Sequence, residues 1–346
     1  MRPTPTPAPM ARDRLLALLD RMRTMRITVL GDLMLDRYLV GDTDRLSPEA
    51  PVPVVTIREV QARLGGAGNV AANVAAIGAT CHLVALTGED DHAGLIRTEL
   101  AAAGIPDQYL VPSTTRPTTT KTRVVARGQQ VVRIDEETDR LADETEHHRL
   151  VAATHAALAN ADALLLQDYN KGTLTPGLIT LALEAARHRG IPVIADPKFR
   201  NFFAYPGVTV FKPNRRELDA ALGATLDVAD LSTLPALLAQ LSADNLLLTL
   251  GAEGMLLVTR DGRVTRIPSL AREVFDVSGA GDTVTAWVGT ALAAGATVRE
   301  AAVLATYAAG VEVGKSGVAT VFPAEVLAMH EERHDLTGRL RRGGAI

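Results

Sequence analysis

Asp282 closes the run Asp276-Val277-Ser278-Gly279-Ala280-Gly281-Asp282-Thr283, and an apolar stretch, Val284 to Leu292, follows it. The stretch reads as a helix that opens on small residues. Such a start leaves backbone N–H groups free to cradle an anion, and the helix dipole adds to the attraction. A carboxylate in the same turn could take a proton from an attacking hydroxyl while the N–H groups of Gly279, Ala280 and Gly281 hold a transferring phosphoryl group. The competing reading makes Asp282 a helix cap. Asn214 and Glu217, in Lys212-Pro213-Asn214-Arg215-Arg216-Glu217, lie three apart and share a helix face. Glu217 could hold the water shell of Mg²⁺, which takes few protein ligands, or serve only as a charge at a helix start.

Two further glycine runs carry less. Gly66 to Ala71 in Gly65-Gly66-Ala67-Gly68-Asn69-Val70-Ala71 matches a dinucleotide fingerprint loosely. That fingerprint needs a strand immediately before it, and Gln61 to Leu64 is not expected to be one. The glycines would instead let a substrate approach the backbone, with Asn69 offering its amide to sugar hydroxyls, or form a structural turn. Gly310 to Ser316 has one residue too few between its glycines for a P-loop and follows an Ala-rich helical segment, so it is rejected as one.

These residues need a frame. Arg26–Gly31, His82–Thr87, Ala163–Gln167, Pro192–Ala195, Val208–Phe211 and Asn245–Leu250 are continuous apolar runs, which suit strands buried on both faces. Helical stretches alternate with them: Val70–Ile77, Ala93–Ala103, His147–Ala159, Leu178–His188 and Leu234–Leu241. Strands alternating with helices predict a doubly wound α/β fold with ligands at the carboxyl ends of its strands. Asp32, Asp168, Asp196 and Asn214 all fall there. Two β-rich stretches without helices, about 37–60 and 115–136, predict a small separate antiparallel sheet, a lid over the site with an edge or face open to a second subunit.

The 346 residues are 47% hydrophobic and 22% charged, an ordinary globular composition. Aromatics are 3% and the net charge is −4, which argue against nucleic acid as a partner. No run approaches the roughly 18 apolar residues of a membrane span. The single cysteine, Cys81, excludes an internal disulfide framework and suits a reducing, cytoplasmic setting. Residues 1–25 are expected to be a disordered leader (1–9) and a first amphipathic helix around Leu15, Leu16, Leu18, Leu19 and Met22. The body spans 26–330, and 331–346 is a polar tail.

Taken together, these motifs resemble the ribokinase-like, or PfkB, carbohydrate kinases. Asp276 to Asp282 matches the family's C-terminal signature, Gly65-Gly66 with Asn69 its N-terminal di-glycine element, and Asn214 with Glu217 its Asn-x-x-Glu element. The likeness runs from about Ile27 to Val326. Gly31 to Tyr38, Arg45 to Val54, Asp168 to Gly172 and Asp196 to Lys198 look most like the D-glycero-β-D-manno-heptose-7-phosphate kinases within that family. Ser278 stands where Thr is common, and Gly68 where Ala is; neither removes a group the chemistry needs. The resemblance implies a three-layer α/β/α sandwich with a mostly parallel central sheet and a β-sheet lid. It implies ATP and Mg²⁺, in some members a monovalent cation such as K⁺ near the segment starting at Asp276, and a homodimer through the lid. No adenylyltransferase motif of the H-x-G-H type occurs, so the expectation is a stand-alone kinase acting on O1 of the heptose 7-phosphate on the way to the lipopolysaccharide core.

By the same resemblance Asp282 is the general base, and Asn214, Glu217, Thr249 and Gly251 border the nucleotide. Asp32, Asp36, Gly65, Gly66 and Asn69 bind the sugar, and Asp168 faces the site. A sugar phosphate also needs a cationic pocket, for which Arg37, Lys121, Arg123, Arg133, Lys171 and Lys198 are candidates. A kinase of unphosphorylated sugars or nucleosides, and a non-catalytic sugar-binding protein, stand as alternatives on the same fold.

Overall fold

The computed structural model describes residues 10–228, 230–271, 275–315 and 317–343, with side chains described through 333. The expected leader, Ser316 of the rejected P-loop-like run and the last residues of the tail lie outside the described residues.

Helix α1 (Arg12–Met22) buries Leu15, Leu18, Leu19 and Met22 against the body. Strand β1 (Arg26–Gly31) passes through one residue, Asp32, into the long β2 (Leu33–Leu46), which returns as β3 (Pro53–Gly66). The chain continues through α2 (Ala67–Ile77), β4 (Thr80–Gly88), α3 (Asp91–Ala102), β5 (Leu110–Ser113), β6 (Thr120–Ala126) and β7 (Gln129–Glu136). Next come α4 (Glu144–Leu158), β8 (Ala163–Gln167), α5 (Pro176–Arg189), β9 (Val193–Asp196), β10 (Val210–Phe211), α6 (Arg215–Leu222) and α7 (Leu234–Leu241). The antiparallel run β11 (Leu246–Thr249), β12 (Met255–Val258) and β13 (Val264–Ile267) precedes α8 (Ala280–Ala293), α9 (Val298–Glu312) and α10 (Pro323–Gly343). Helix α10 covers most of the segment expected as a tail.

The main sheet has nine strands in the order β13-β12-β11-β10-β9-β8-β1-β4-β5, parallel from β11 to β5. Strand β1 sits where the order reverses, flanked by β4 and β8, so the crevice past its end is the place for a ligand. One buried cluster gathers α1, α2, α8 and α9 on one face, and another gathers α4, α5 and α7 on the other. At Gly31 a side chain would overlap the backbone oxygen of Gln167, so glycine lets the ends of β1 and β8 close up beside the crevice. No helix among the described residues is long and apolar enough to cross a membrane.

The lid is a four-stranded sheet, β3-β2-β6-β7. It corrects two expectations. Pairs β2–β3 and β6–β7 are antiparallel, but β2–β6 is parallel, because the chain crosses through α2, β4, α3 and β5 before β6 begins. Strand β3 also runs on to Gly66, so a strand does precede the glycine run directly. That strand belongs to the lid rather than to the main sheet. The dinucleotide reading still fails, for a topological reason that the local sequence does not reveal.

Candidate active site

Helix α8 starts at the mouth of the crevice. Gly279 precedes it with φ of 94°, a left-handed conformation that favours glycine. A Cβ there would also stand 2.9 Å from the Asn69 amide nitrogen and 3.3 Å from a Glu312 oxygen. Asp282 follows in the first turn, buried. Its Oδ1 accepts from Gln167 Nε2 and from the Tyr169 hydroxyl, each at 2.8 Å, and its Oδ2 accepts from Asn69 Nδ2 at 2.9 Å. Neither oxygen caps the helix, which removes the capping alternative. Burial pushes the carboxyl up to about 6; the Asn69 hydrogen bond opposes this, Asp196 adds to it, and Tyr169 and Lys212 oppose it. A carboxyl poised there can take a proton near neutral pH.

On one side of Asp282 lies a cavity of about 410 Å³. The turn Gly279–Gly281 and Asp282 line it together with Lys198, Lys212, Asn214, Glu217, Thr249 and Gly251. Lys212 is buried beneath the turn, its ammonium 3.6 Å from where a Cβ on Gly281 would lie and 2.9 Å from Asp196 Oδ2. Asn214 caps α6: it accepts from Glu217 N at 2.9 Å, and Glu217 Oε2 accepts from Asn214 N at 2.8 Å. Glu217 is therefore a helix-capping charge and also a cavity carboxylate, because its other oxygen bonds the Lys198 ammonium. Lys198 stands 5.0 Å from the centre of the Tyr169 ring.

Through Asn69 and Tyr169, Asp282 is tied to the start of α2, just past β3, and to the loop after β8. Asp36 accepts from Arg123 at 2.6 Å, and a side chain at Gly65 would run into the Asp36 carboxylate. Gly66, at φ of 56°, turns the chain into α2 and so delivers Asn69. Lys121 and Lys171 converge on Glu137, their ammonium groups 2.8 and 2.7 Å from it, and Lys121 also lies 3.2 Å from Asp135.

Several expected sugar ligands sit elsewhere. Asp32 is buried with both oxygens engaged: Tyr169 N and Lys171 N donate to Oδ2 at 2.8 and 2.9 Å, and Thr173 N to Oδ1 at 3.0 Å. It holds the loop and is not presented to a sugar. Asp168 accepts from Asn170 N, Asn201 Nδ2 and the Tyr205 hydroxyl at 2.7–3.0 Å, so it too is an internal anchor and does not face the site. Arg37 alternates with Asp36 along β2 and so faces the opposite side of the lid, where it contacts His92 at 3.1 Å. Arg133 is held by Asp135 at 2.9 Å and is half exposed. Lys198 lies on the cavity side with Glu217, apart from the Lys121–Lys171 pair. Gln167, Tyr169 and Lys212 are the participants that residue spacing did not assign to the site, and they join Asp196, which it had placed at a strand end. Their common signal is position, since each lies at or just past the carboxyl end of a strand.

The pfkB family carbohydrate kinase model matches residues 25–325. The chain belongs to the pfkB family of carbohydrate kinases. It is an ATP-dependent sugar kinase, and kinases of this family use ATP and Mg²⁺. Over 323 residues the kinase is 44% identical to the bifunctional protein HldE of Pelobacter propionicus, covering 92% of this chain and 66% of that one. With its counterpart from Azorhizobium caulinodans it shares 45% over 307 residues, covering 88% and 64%. The kinase thus spans just under two-thirds of the length of these relatives. In fold it is similar to Arabidopsis thaliana ribokinase complexed with ribose and ATP (TM-score 0.69, 22% identity, 89% of this chain and 99% of that one). It is similar as well to Escherichia coli phosphofructokinase-2 in complex with potassium (TM-score 0.74, 18% identity, the same coverage).

Proposed function

We propose that the kinase transfers the γ-phosphoryl group of ATP to O1 of D-glycero-D-manno-heptose 7-phosphate, giving the 1,7-bisphosphate for lipopolysaccharide core assembly in the cytoplasm. The observation that carries the acceptor assignment is the Lys121–Glu137–Lys171 cluster. Two ammonium groups gathered on one carboxylate offer a ready socket for the phosphate of an acceptor, with Glu137 giving way to the dianion. Lys171 lies two residues along the chain from Tyr169, whose hydroxyl touches Asp282. One loop therefore carries a lysine of the socket and a hydroxyl that touches the base.

Asp282 accepts the O1 proton as the O1–P bond forms and the bond from the γ-phosphorus to the bridging oxygen breaks, releasing ADP. The N–H groups of Gly279, Ala280 and Gly281 hold the transferring oxygens, and Lys212 adds positive charge beneath them. Asn214, Thr249 and Gly251 border the nucleotide. Among the described residues no three potential ligands cluster to hold a metal directly. Glu217 lines the cavity with its oxygens engaged by Asn214 N and Lys198, so it would hold a Mg²⁺ only through water, and the ion would supply charge neutralisation for the nucleotide phosphates.

Coupled ADP release with heptose 7-phosphate, ribose, fructose and adenosine tests this reading. Turnover is expected with the heptose phosphate alone. Lys121→Ala and Lys171→Ala should each raise its KM roughly 10- to 100-fold while the KM for ATP stays within about twofold, the worth of one charge-assisted contact. Turnover only with an unphosphorylated acceptor would overturn the acceptor and leave the base in place.

The homodimer belongs to this proposal. Strand β7 is exposed along its whole length, with Val131, Val132 and Ile134 40–50% exposed, and Ile57 and Val60 are exposed on β3. Apolar side chains on an open sheet suit burial against a second copy. Sedimentation at micromolar protein should give twice the chain mass, and Val132→Lys with Ile134→Lys should return it to one; a wild-type monomer would refute the dimer.

A further inference from the structure

Glu312, at the end of α9, is a carboxylate beside the site that nothing above employs. It is fully buried, and neither of its oxygens has a hydrogen-bond partner. One of them abuts Gly279, 3.3 Å from the position a Cβ would take there. An ionised carboxylate so placed has no hydrogen bond to compensate its burial. The charged groups that face it are Asp276 before α8, Asp282 within α8 and Lys315 after α9. The first two repel a negative charge, and the Lys315 ammonium is already engaged by Thr320 O and Glu325 at 2.8 Å. From α2 the neutral Asn69 amide also abuts the position a Cβ on Gly279 would take, at 2.9 Å.

We propose that Glu312 is a positioning residue that sets the anion affinity of the 279–281 turn through its own protonation. As a neutral acid it leaves the turn's N–H groups free to hold a phosphoryl oxygen. Ionised, it places a negative charge against the same turn, where low polarity carries the repulsion across. Burial, with Asp276 and Asp282 adding to it and Lys315 opposing, pushes the carboxyl up to about 8, so the change falls just above neutral pH. The inference rests on the kinase reading only in taking 279–281 as the anion hole.

The test is calorimetric binding of a non-hydrolysable ATP analogue with Mg²⁺ from pH 6.5 to 9.5, on wild type and Glu312→Gln. It is run with potassium and again with choline as the only monovalent cation, and needs no sugar. In wild type the affinity should fall about tenfold between pH 7 and pH 9, and in Glu312→Gln it should be flat over that range. Infrared difference spectra of wild type, which need no variant to fold, should show a protonated-carboxyl band lost near pH 8. A flat wild-type profile, the same alkaline fall in Glu312→Gln, a fall that follows the cation and not the substitution, or no such infrared band would overturn the role of Glu312 while leaving the nucleotide site intact. No analogue binding at any pH in either protein would overturn the anion hole itself, and Glu312 with it.

Discussion

Asp282→Asn should lower turnover by about 10³-fold while nucleotide binding survives, because the amide cannot take the acceptor proton and the turn's N–H groups remain. Single-turnover rates beside equilibrium binding of the ATP analogue separate the two effects. Turnover within about tenfold of wild type would exclude Asp282 as the base. The wild-type pH profile carries the same information. The carboxyl is held at about 6 and works only when ionised, so kcat/KM should rise with pH through that value and fall about tenfold for each unit below it. The sign for stability is the reverse. A folded-state value raised above the unfolded one favours the protonated form in the fold, so this group's contribution is full in acid and is lost as pH rises through about 6. The base is ionised, and least favourable to folding, in the range where it is useful.

Asp32→Ala should cost about 3 kcal/mol or more of stability, since it leaves the N–H groups of Tyr169, Lys171 and Thr173 without their carboxylate. Turnover should fall as well, because the same loop carries Tyr169 to the base and Lys171 to Glu137. A residue that simply bound sugar would behave differently: its loss would raise the KM for the acceptor and leave the denaturation midpoint in place. Urea denaturation of wild type and variant decides between them, and an unchanged midpoint would return Asp32 to the sugar.

Most of the frame was legible in the sequence because parallel strands buried on both faces are continuous apolar runs. β1 and β8 fall on their expected limits. The 279–282 turn was legible because small residues before an apolar helix have few other uses. What could not be read was direction and partnership. Asp32 and Asp168 follow strands just as a catalytic carboxylate would, and only the fold reveals that backbone N–H groups or buried side chains of nearby loops occupy their oxygens. Arg37 adjoins Asp36 in sequence and faces away from it in space, as neighbours on a strand must. The parallel β2–β6 pairing depends on a crossover through the other sheet, which no local pattern records. Gln167, Tyr169 and Lys212 are of residue types common anywhere, and converge on Asp282 and Asp196 only once the ends of three strands and the start of α8 are set side by side.

The two legs of the lid leave the body as a pair, with Leu33 opposite Gly66. Behind the first leg stands Asp32; behind the second, three residues along, stands Asn69, bonded to Asp282. A door hung in this way has its hinge pins driven into the machinery it closes over. Any swing about Leu33 and Gly66 pulls on Asn69 through the first turn of α2, and on the Tyr169 loop through Asp32. Were the small sheet to close over an acceptor, the same movement would re-aim Asp282 through Asn69.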